Sequence, residues 1–313
     1  MLITNYELRI MNPKTYLRVF VFLCVFCTFT GNAFAQDFVV TQTQTDWIAR
    51  EDFFKRTIQS GNVELKRDAL FQIRNLETTE ASRLAIPALG DKSEVVRATA
   101  AFSVIFLPQD EATNVLLPLL KDKKELVRRE AAYALGKVGN PHAIPFLLQI
   151  LQLDKVLDVR AASAIALGEI GDVSAIEALT KILQNKLKTE EEFVRRSAAR
   201  SVGQIAQITQ TNKRTVQTPE SFLPDKYIFV SKSKYPNLIE VSPTFRMAND
   251  VLIQTLQNPK ETDDVKREAA FALGAIGDAS AIPILQMSLV AKDYYLGRIS
   301  AEALSKILIN GKR

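Results

Sequence analysis

Histidine occurs once in these 313 residues, tryptophan once and cysteine twice, and aromatic side chains make up only 8%. A single histidine excludes a histidine-built metal centre and leaves His142 as the one imidazole base for any Ser-His or Cys-His pair. It follows Asn140-Pro141, where it reads as an exposed, variable position in the first turn of a helix. Cys24 and Cys27 lie inside an uncharged apolar run, VFVFLCVFCTFT (19–30), with no partner ligands, so their spacing carries neither a redox pair nor a metal site. The expectation is no catalytic residues, no metal and no cofactor. Long apolar runs are missing too: this one has twelve residues, and a membrane span needs about twenty. Lys14 and Arg18 precede it and Ala33-Phe34-Ala35 follows, so residues 1–35 read as a secretory signal peptide cleaved before Gln36, with Met1 or Met11 as the start. The alternative is an uncleaved N-terminal anchor. Cleavage removes both cysteines, three basic residues and one acidic residue, so the net charge falls from +5 to +3. A balance that mild gives nucleic acid no electrostatic footprint. The mature chain is expected to be exported, periplasmic or secreted, thiol-free and without a stable membrane span.

What is present is one phrase, many times over. Residues 130–147 read EAAYALGKVGNPHAIPFL, and residues 268–285 read EAAFALGAIGDASAIPIL. Related segments begin at Leu65, Val96, Val127, Val159, Val194, Val265 and Leu296, at intervals of 31, 31, 32, 35, 71 and 31 residues. Self-similarity at such a period is the signature of stacked repeats. Within each segment, apolar residues favour positions one, five, eight, nine and twelve, which at about 100° per residue share one helical face. Alanine pairs such as Ala131-Ala132 and Ala269-Ala270 allow neighbouring helices to come close. Gly139, Gly171 and Gly277 are placed to end the helix in the left-handed region. Asn140, Asp172 and Asp278 are placed to cap a second helix, whose apolar stripe reads Ile144, Phe146, Leu147, Ile150 and Leu151. One such hairpin cannot bury its face alone, and stacking buries it against both neighbours. The fold class expected is all-α, a solenoid of about seven repeats.

Written as VR-x-x-AA-x-ALG-x-IGD-x-x-AIP-x-L, the phrase resembles the short HEAT-like repeat found in phycobilisome lyases, over about residues 63–309. The TPLH phrase of ankyrin repeats is absent, as is the tetratricopeptide signature. The resemblance implies an α-α superhelix, and it implies no single activity, because HEAT-like repeats serve many functions. Deoxyhypusine hydroxylase, a HEAT-repeat enzyme family, holds iron with His-Glu pairs; this sequence has no such pair. The expected layout is a signal peptide (1–35), an N-terminal segment with a capping helix (36–62), and a repeat solenoid (63–313). The capping helix reads as Asp46 to Ser60, with Trp47, Phe53 and Phe54 packing, and the seventh repeat runs out at Ile309 before a second helix.

Two features stand outside the packing pattern. Arg97, Arg128, Arg160, Arg195 and Lys266 recur once per repeat at the edge of the buried face. They read as a structural ladder pairing with carboxylates or helix ends on adjacent repeats, with Glu94, Glu125, Asp158 and Asp264 nearby; a basic track for phosphate is the other reading. The second feature is an insertion at 207–246, between Ala206 and a second helix expected to start at Ser242-Pro243. It holds four of the twelve prolines and a net charge of +3, and KYIFVS and NLIEVS suggest a small β-hairpin at its rear. Phe222, Tyr227, Phe229, Lys232, Lys234 and Tyr235 form the candidate partner-binding patch. The competing reading is a tolerated surface loop whose aromatics pack back on the solenoid. The function expected is an exported scaffold or adaptor that binds an unidentified protein partner, without catalysis and without nucleic acid. The alternative, from the resemblance, is an enzyme or enzyme subunit of the bilin lyase type.

Overall fold

A computed structural model describes residues 47–185, 188–214 and 237–311. The expected signal peptide lies outside them. The chain divides into two units at Phe53/Phe54. Of the first unit only residues 47–53 are described, as the start of helix α1 (47–59). Within the second unit, Phe54 (3% exposed) and Ile58 of α1 are buried, while Phe53 is 53% exposed. Helical geometry places Ile58, four residues beyond Phe54, on the same buried side.

The second unit is an α-solenoid, and all regular structure among the described residues is helical. Its successive hairpins pair α2 (Val63–Leu76) with α3 (Thr79–Ala85), α4 (Glu94–Ser103) with α5 (Gln109–Leu116), and α6 (Glu125–Val138) with α7 (Ile144–Leu153). Then follow α8 (Leu157–Ile170) with α9 (Ile176–Gln184), and α10 (Glu192–Thr211), the short turn α11 (Leu238–Val241) and α12 (Pro243–Gln257). The last elements are α13 (Asp263–Ile276) with α14 (Ile282–Ser288), and α15 (Tyr294–Gly311). The first helices of the hairpins pack side by side in chain order from α2 to α15, and α9 packs on α12 in the second layer.

Side-chain periodicity produces this arrangement. Val265, Ala269, Ala272, Leu273 and Ile276 of α13 are all fully buried, at positions one, five, eight, nine and twelve of its repeat. Gly139, Gly171 and Gly277 end their helices at φ of 70°, 80° and 82°, where a Cβ would be strained. Asn140, Asp172 and Asp278 then accept hydrogen bonds from the backbone N–H of His142, Ser174 and Ser280, capping the turn into the second helix.

A further glycine column sits inside the first helices. A Cβ at Gly136 would lie 2.7 Å from the Cα of Ala166 in the next repeat, and one at Gly274 would lie 2.7 Å from the Cα of Ala303. Helix-interior glycine costs about 1 kcal/mol relative to alanine, and here it permits near-contact of helix backbones. The final residue of the ALG phrase thus serves close approach, alongside the alanine pairs.

Candidate interaction surface

The solenoid has two edges built from turns, and they do different work. Along the edge where each second helix leads into the next first helix, the recurrent cations bridge repeats. Arg97 donates through Nε and Nη2 to Asp122 at 2.8 and 2.9 Å, and through Nη1 to the carbonyl of Asp91 at 2.8 Å. Arg128 repeats this with Asp154 at 2.7 and 3.0 Å and with the carbonyl of Asp122 at 2.9 Å. Each guanidinium so fastens its own turn to the following one. Arg160 reaches the carbonyl of Leu151 at 2.9 Å and Glu191 at 3.3 Å. Arg195 pairs with Glu261 at 3.0 Å, and their side chains are only 3% and 2% exposed.

The partners are carboxylates of the following repeat, as the ladder reading expects, but not the acids that lie nearby in sequence. Glu94 pairs with Lys124, and Asp264 with Arg196 and Arg267. A side chain near a helix start leans back toward the N-terminal turn, so the carboxylate of the next repeat's turn, rather than a first-turn acid, meets the guanidinium. Lys266 makes no side-chain ion pair among the described residues; Arg267 instead donates to both oxygens of Asp293, through Nε at 2.9 Å. Lys66, which the sequence reading passed over, begins the series by pairing with Asp91 at 2.6 Å. Burial pushes the carboxyls of Asp91, Asp122 and Asp154 up. Hydrogen bonds from their cations and from backbone N–H groups, with the nearby positive charge, outweigh it and hold all three below the ordinary carboxylate range.

The opposite edge, where the first helices end, carries the roots of the insertion. Ala206 occupies the repeat position of Gly139, Gly171 and Gly277. Lacking that glycine, α10 continues to Thr211 and ends at Asn212, with φ 52°. The insertion that the sequence places from residue 207 thus begins with helix. This extension lies across its neighbours. Ile208 covers Gly171, where an added Cβ would meet its Cδ1 at 2.6 Å. Gln210 donates to the carbonyl of Ala275 at 2.7 Å, and the Arg214 guanidinium lies over Gly139.

The returning strand of chain is anchored on the same edge. Asn237 donates to Asp278 at 3.0 Å and accepts from the N–H of Ile239, opening α11. Leu238 and Ile239 are buried. NLIEVS therefore forms a helical turn in place of half a β-hairpin; its alternation fitted a strand, but the Asn237 cap and the burial of adjacent residues 238 and 239 favour a turn. KYIFVS lies outside the described residues, as do Phe222, Tyr227, Phe229, Lys232, Lys234 and Tyr235. Ser242 precedes α12 as its cap residue and Pro243 is its first helical residue, at the expected positions.

Other candidate chemistry is sparse. His142 is exposed, with its ring 6.0 Å from that of Phe146. No group of three or more His, Cys, Asp or Glu side chains suited to a metal ion occurs among the described residues. No described helix is long and apolar enough to cross a membrane. Among the described residues, Glu268 is the buried acid whose carboxyl is pushed up, by burial, against the pull of Arg200 and Arg196. It lies 3.5 Å from Arg200 across the α10–α13 contact, the seam between the repeats on either side of the insertion.

Comparison with known proteins agrees with this construction. The family model for HEAT repeats matches residues 82–168 and 113–201, and that for the PBS lyase HEAT-like repeat matches residues 265–290. No curated protein matches the sequence. Among solved structures, an engineered protein aligns over 82% of this chain and 68% of its own, at 19% identity and a TM-score of 0.48. The CpcE–CpcF complex of phycocyanin lyase from Nostoc sp. PCC7120 aligns over 83% and 88%, at 20% identity and 0.44. Human deoxyhypusine hydroxylase aligns over 84% and 98%, at 19% identity and 0.36. The repeats matched by the family models, stacked as described, make this chain a HEAT-like repeat protein.

Proposed function

We propose that this HEAT-like solenoid is an exported protein-binding scaffold, and that it engages its partner through the edge carrying the insertion. One observation carries the reading. The only large departure from the repeat is held at both roots on a single edge, by Ile208, Gln210 and Arg214 on one side and Asn237 on the other. Meanwhile α10 and α13 stack directly on one another. Both roots leave from one edge with the stack of first helices unbroken between them, and repeat-protein insertions often sit on the binding face. The aromatic and lysine residues between the roots suit such contact.

Deletion tests the reading. Removing 216–235 while keeping both roots should leave helical circular dichroism and the melting transition unchanged and abolish recovery of a co-purifying protein. Unchanged recovery would sink the proposal. Export has its own test: the mature protein should be found outside the cytoplasm and begin at Gln36. A second reading, an enzyme or enzyme subunit of the bilin lyase type, is favoured by the PBS lyase HEAT-like match at 265–290. Cytoplasmic protein with an intact N-terminus that attaches a bilin to an acceptor would select it instead.

A further inference from the structure

In a stack of repeats each unit touches only its neighbours. The extension of α10 departs from that rule. Ile208 and Gln210 stay with adjoining helices, on Gly171 of α8 and the carbonyl of Ala275 in α13. Arg214 goes one repeat further. It skips α8 and donates through Nη1 to the carbonyl of Val138, the last residue of α6, at 3.5 Å. Its guanidinium also covers Gly139, which is buried although it lies at the edge of the stack. One side chain therefore spans the α6–α8 and α8–α10 seams together.

A contact across two seams depends on their combined angle. Solenoid curvature is the sum of small rotations between repeats, so Arg214 meets Val138 only within a narrow range of it. On the opposite edge the ladder closes the same seams, through Arg128 to Asp154 and Arg160 to Glu191. The two edges differ in strength. Arg128 holds Asp154 by two bonds, and their side chains are only 16% and 6% exposed. Arg214 is exposed, makes one long bond to a neutral acceptor, and pairs with no carboxylate among the described residues. Gln109 donates to the same carbonyl at 3.3 Å, so departure of Arg214 leaves no acceptor orphaned. The ladder edge is built as a hinge line, and the Arg214 contact as a latch.

We propose that Arg214 latches α6, α8 and α10 at one curvature, and that an acidic segment of the partner releases it. A carboxylate forms a charge-assisted, bidentate pair with a guanidinium and so outcompetes a backbone carbonyl. The stack then opens along the insertion-bearing edge, turning about the ladder. The source of the acid rests on the partner engaging this edge; the latch itself does not.

Spin labels on the full chain read both edges. In a C24S/C27S background, nitroxides at His142→Cys and Ala279→Cys report the insertion-bearing edge, and at Lys123→Cys and Lys260→Cys the ladder edge. All four positions are exposed. Each pair spans three seams, about 24–30 Å at ordinary helix spacing, within reach of double electron–electron resonance. Arg214→Ala should lengthen the first distance by a few ångströms and broaden it, leaving the second distance and the melting transition unchanged. Polyglutamate peptide should produce the same shift with Arg214 present and none in Arg214→Ala. Sodium chloride at matched ionic strength should shift neither. An unchanged first distance in Arg214→Ala overturns the latch, and equal lengthening of both pairs overturns the hinge. No response to polyglutamate, or an equal response to salt, overturns release by an acid. Partner recovery after deletion of 216–235 bears on the binding edge alone, since no partner takes part in these measurements.

Discussion

Glycine does two opposite jobs in this chain, and substitution separates them. At Gly274 a methyl group would collide with the backbone of Ala303, 2.7 Å away, and that backbone belongs to a packed helix that cannot easily yield. Gly274→Ala should therefore destabilise by about 1–3 kcal/mol, the range for overpacking, despite the helix propensity it gains. Gly90, with nothing within 4 Å of an added Cβ and no left-handed φ, provides the control. Gly90→Ala should be neutral or slightly stabilising by urea denaturation.

The ladder carboxylates make acid sensitivity a residue-level property. Asp91, Asp122 and Asp154 titrate lower in the folded chain than in the unfolded one. Their contribution is present above the ordinary carboxylate pKa and is lost as pH falls through the depressed values. Glu268 works in the opposite sense. Its carboxyl is pushed up by burial, so below that raised value the folded state takes up a proton the unfolded state does not, and stability gains as pH falls. Asp122→Asn should lose stability at pH 7, approaching the 1.5–3 kcal/mol typical of hydrogen bonds to charged groups, and little in strong acid. Urea midpoints measured against pH for wild type, Asp122→Asn and Glu268→Gln should diverge in these opposite directions.

At the scale of the element, first helices stop where the thirteenth repeat position turns left-handed, at Glu77 in α2 and at glycine elsewhere. α6, α8 and α13 stop at glycine, and α10 has Ala206 instead and runs on to Thr211. Ala206→Gly should cost about 1 kcal/mol and loosen the extension. Hydrogen exchange at Gln210 and Thr211 should accelerate while the amides of α8 and α13 keep their protection. Hairpins, caps and the repeat boundary at Ser242-Pro243 were legible in the sequence because each rests on local chemistry: a period, a left-handed glycine, an Asn or Asp behind it. The extension was legible in principle too, in the missing glycine. The ladder partners were not. Asp122 lies 25 residues beyond Arg97, and only the stacking distance between turns brings them together. NLIEVS misled for a different reason: four to six alternating residues fit a strand or a turn equally well, and the Asn237–Asp278 bond decides between them. The residues most suggestive of partner contact lie between the two roots, outside the described chain.

At the scale of the whole molecule, the Arg195–Glu261 pair ties the repeats before the insertion to those after it. Removing one member of a buried pair leaves an uncompensated charge and typically costs about 3–5 kcal/mol. Repeat stacks derive stability from nearest-neighbour seams, so that loss would fall on one seam and not spread evenly. Arg195→Ala should split thermal unfolding into two transitions, the C-terminal repeats melting first, with limited proteolysis releasing a fragment beginning after α10. A single transition shifted as a unit would show that cooperativity crosses this seam without the pair.

The direct stacking of α10 on α13 also bears on how freely this chain can lengthen. Forming that seam closes a repeat interval of 71 residues where most others are near 31. Loop-closure entropy grows only with the logarithm of length, so slightly more than a doubling adds about 0.6–0.7 kcal/mol. Against the burial at one seam that is small, and a further doubling would add no more than the first. The position after Asn212 is therefore a place where new sequence can be accepted, tried against a partner and lost again while the stack beneath keeps its register.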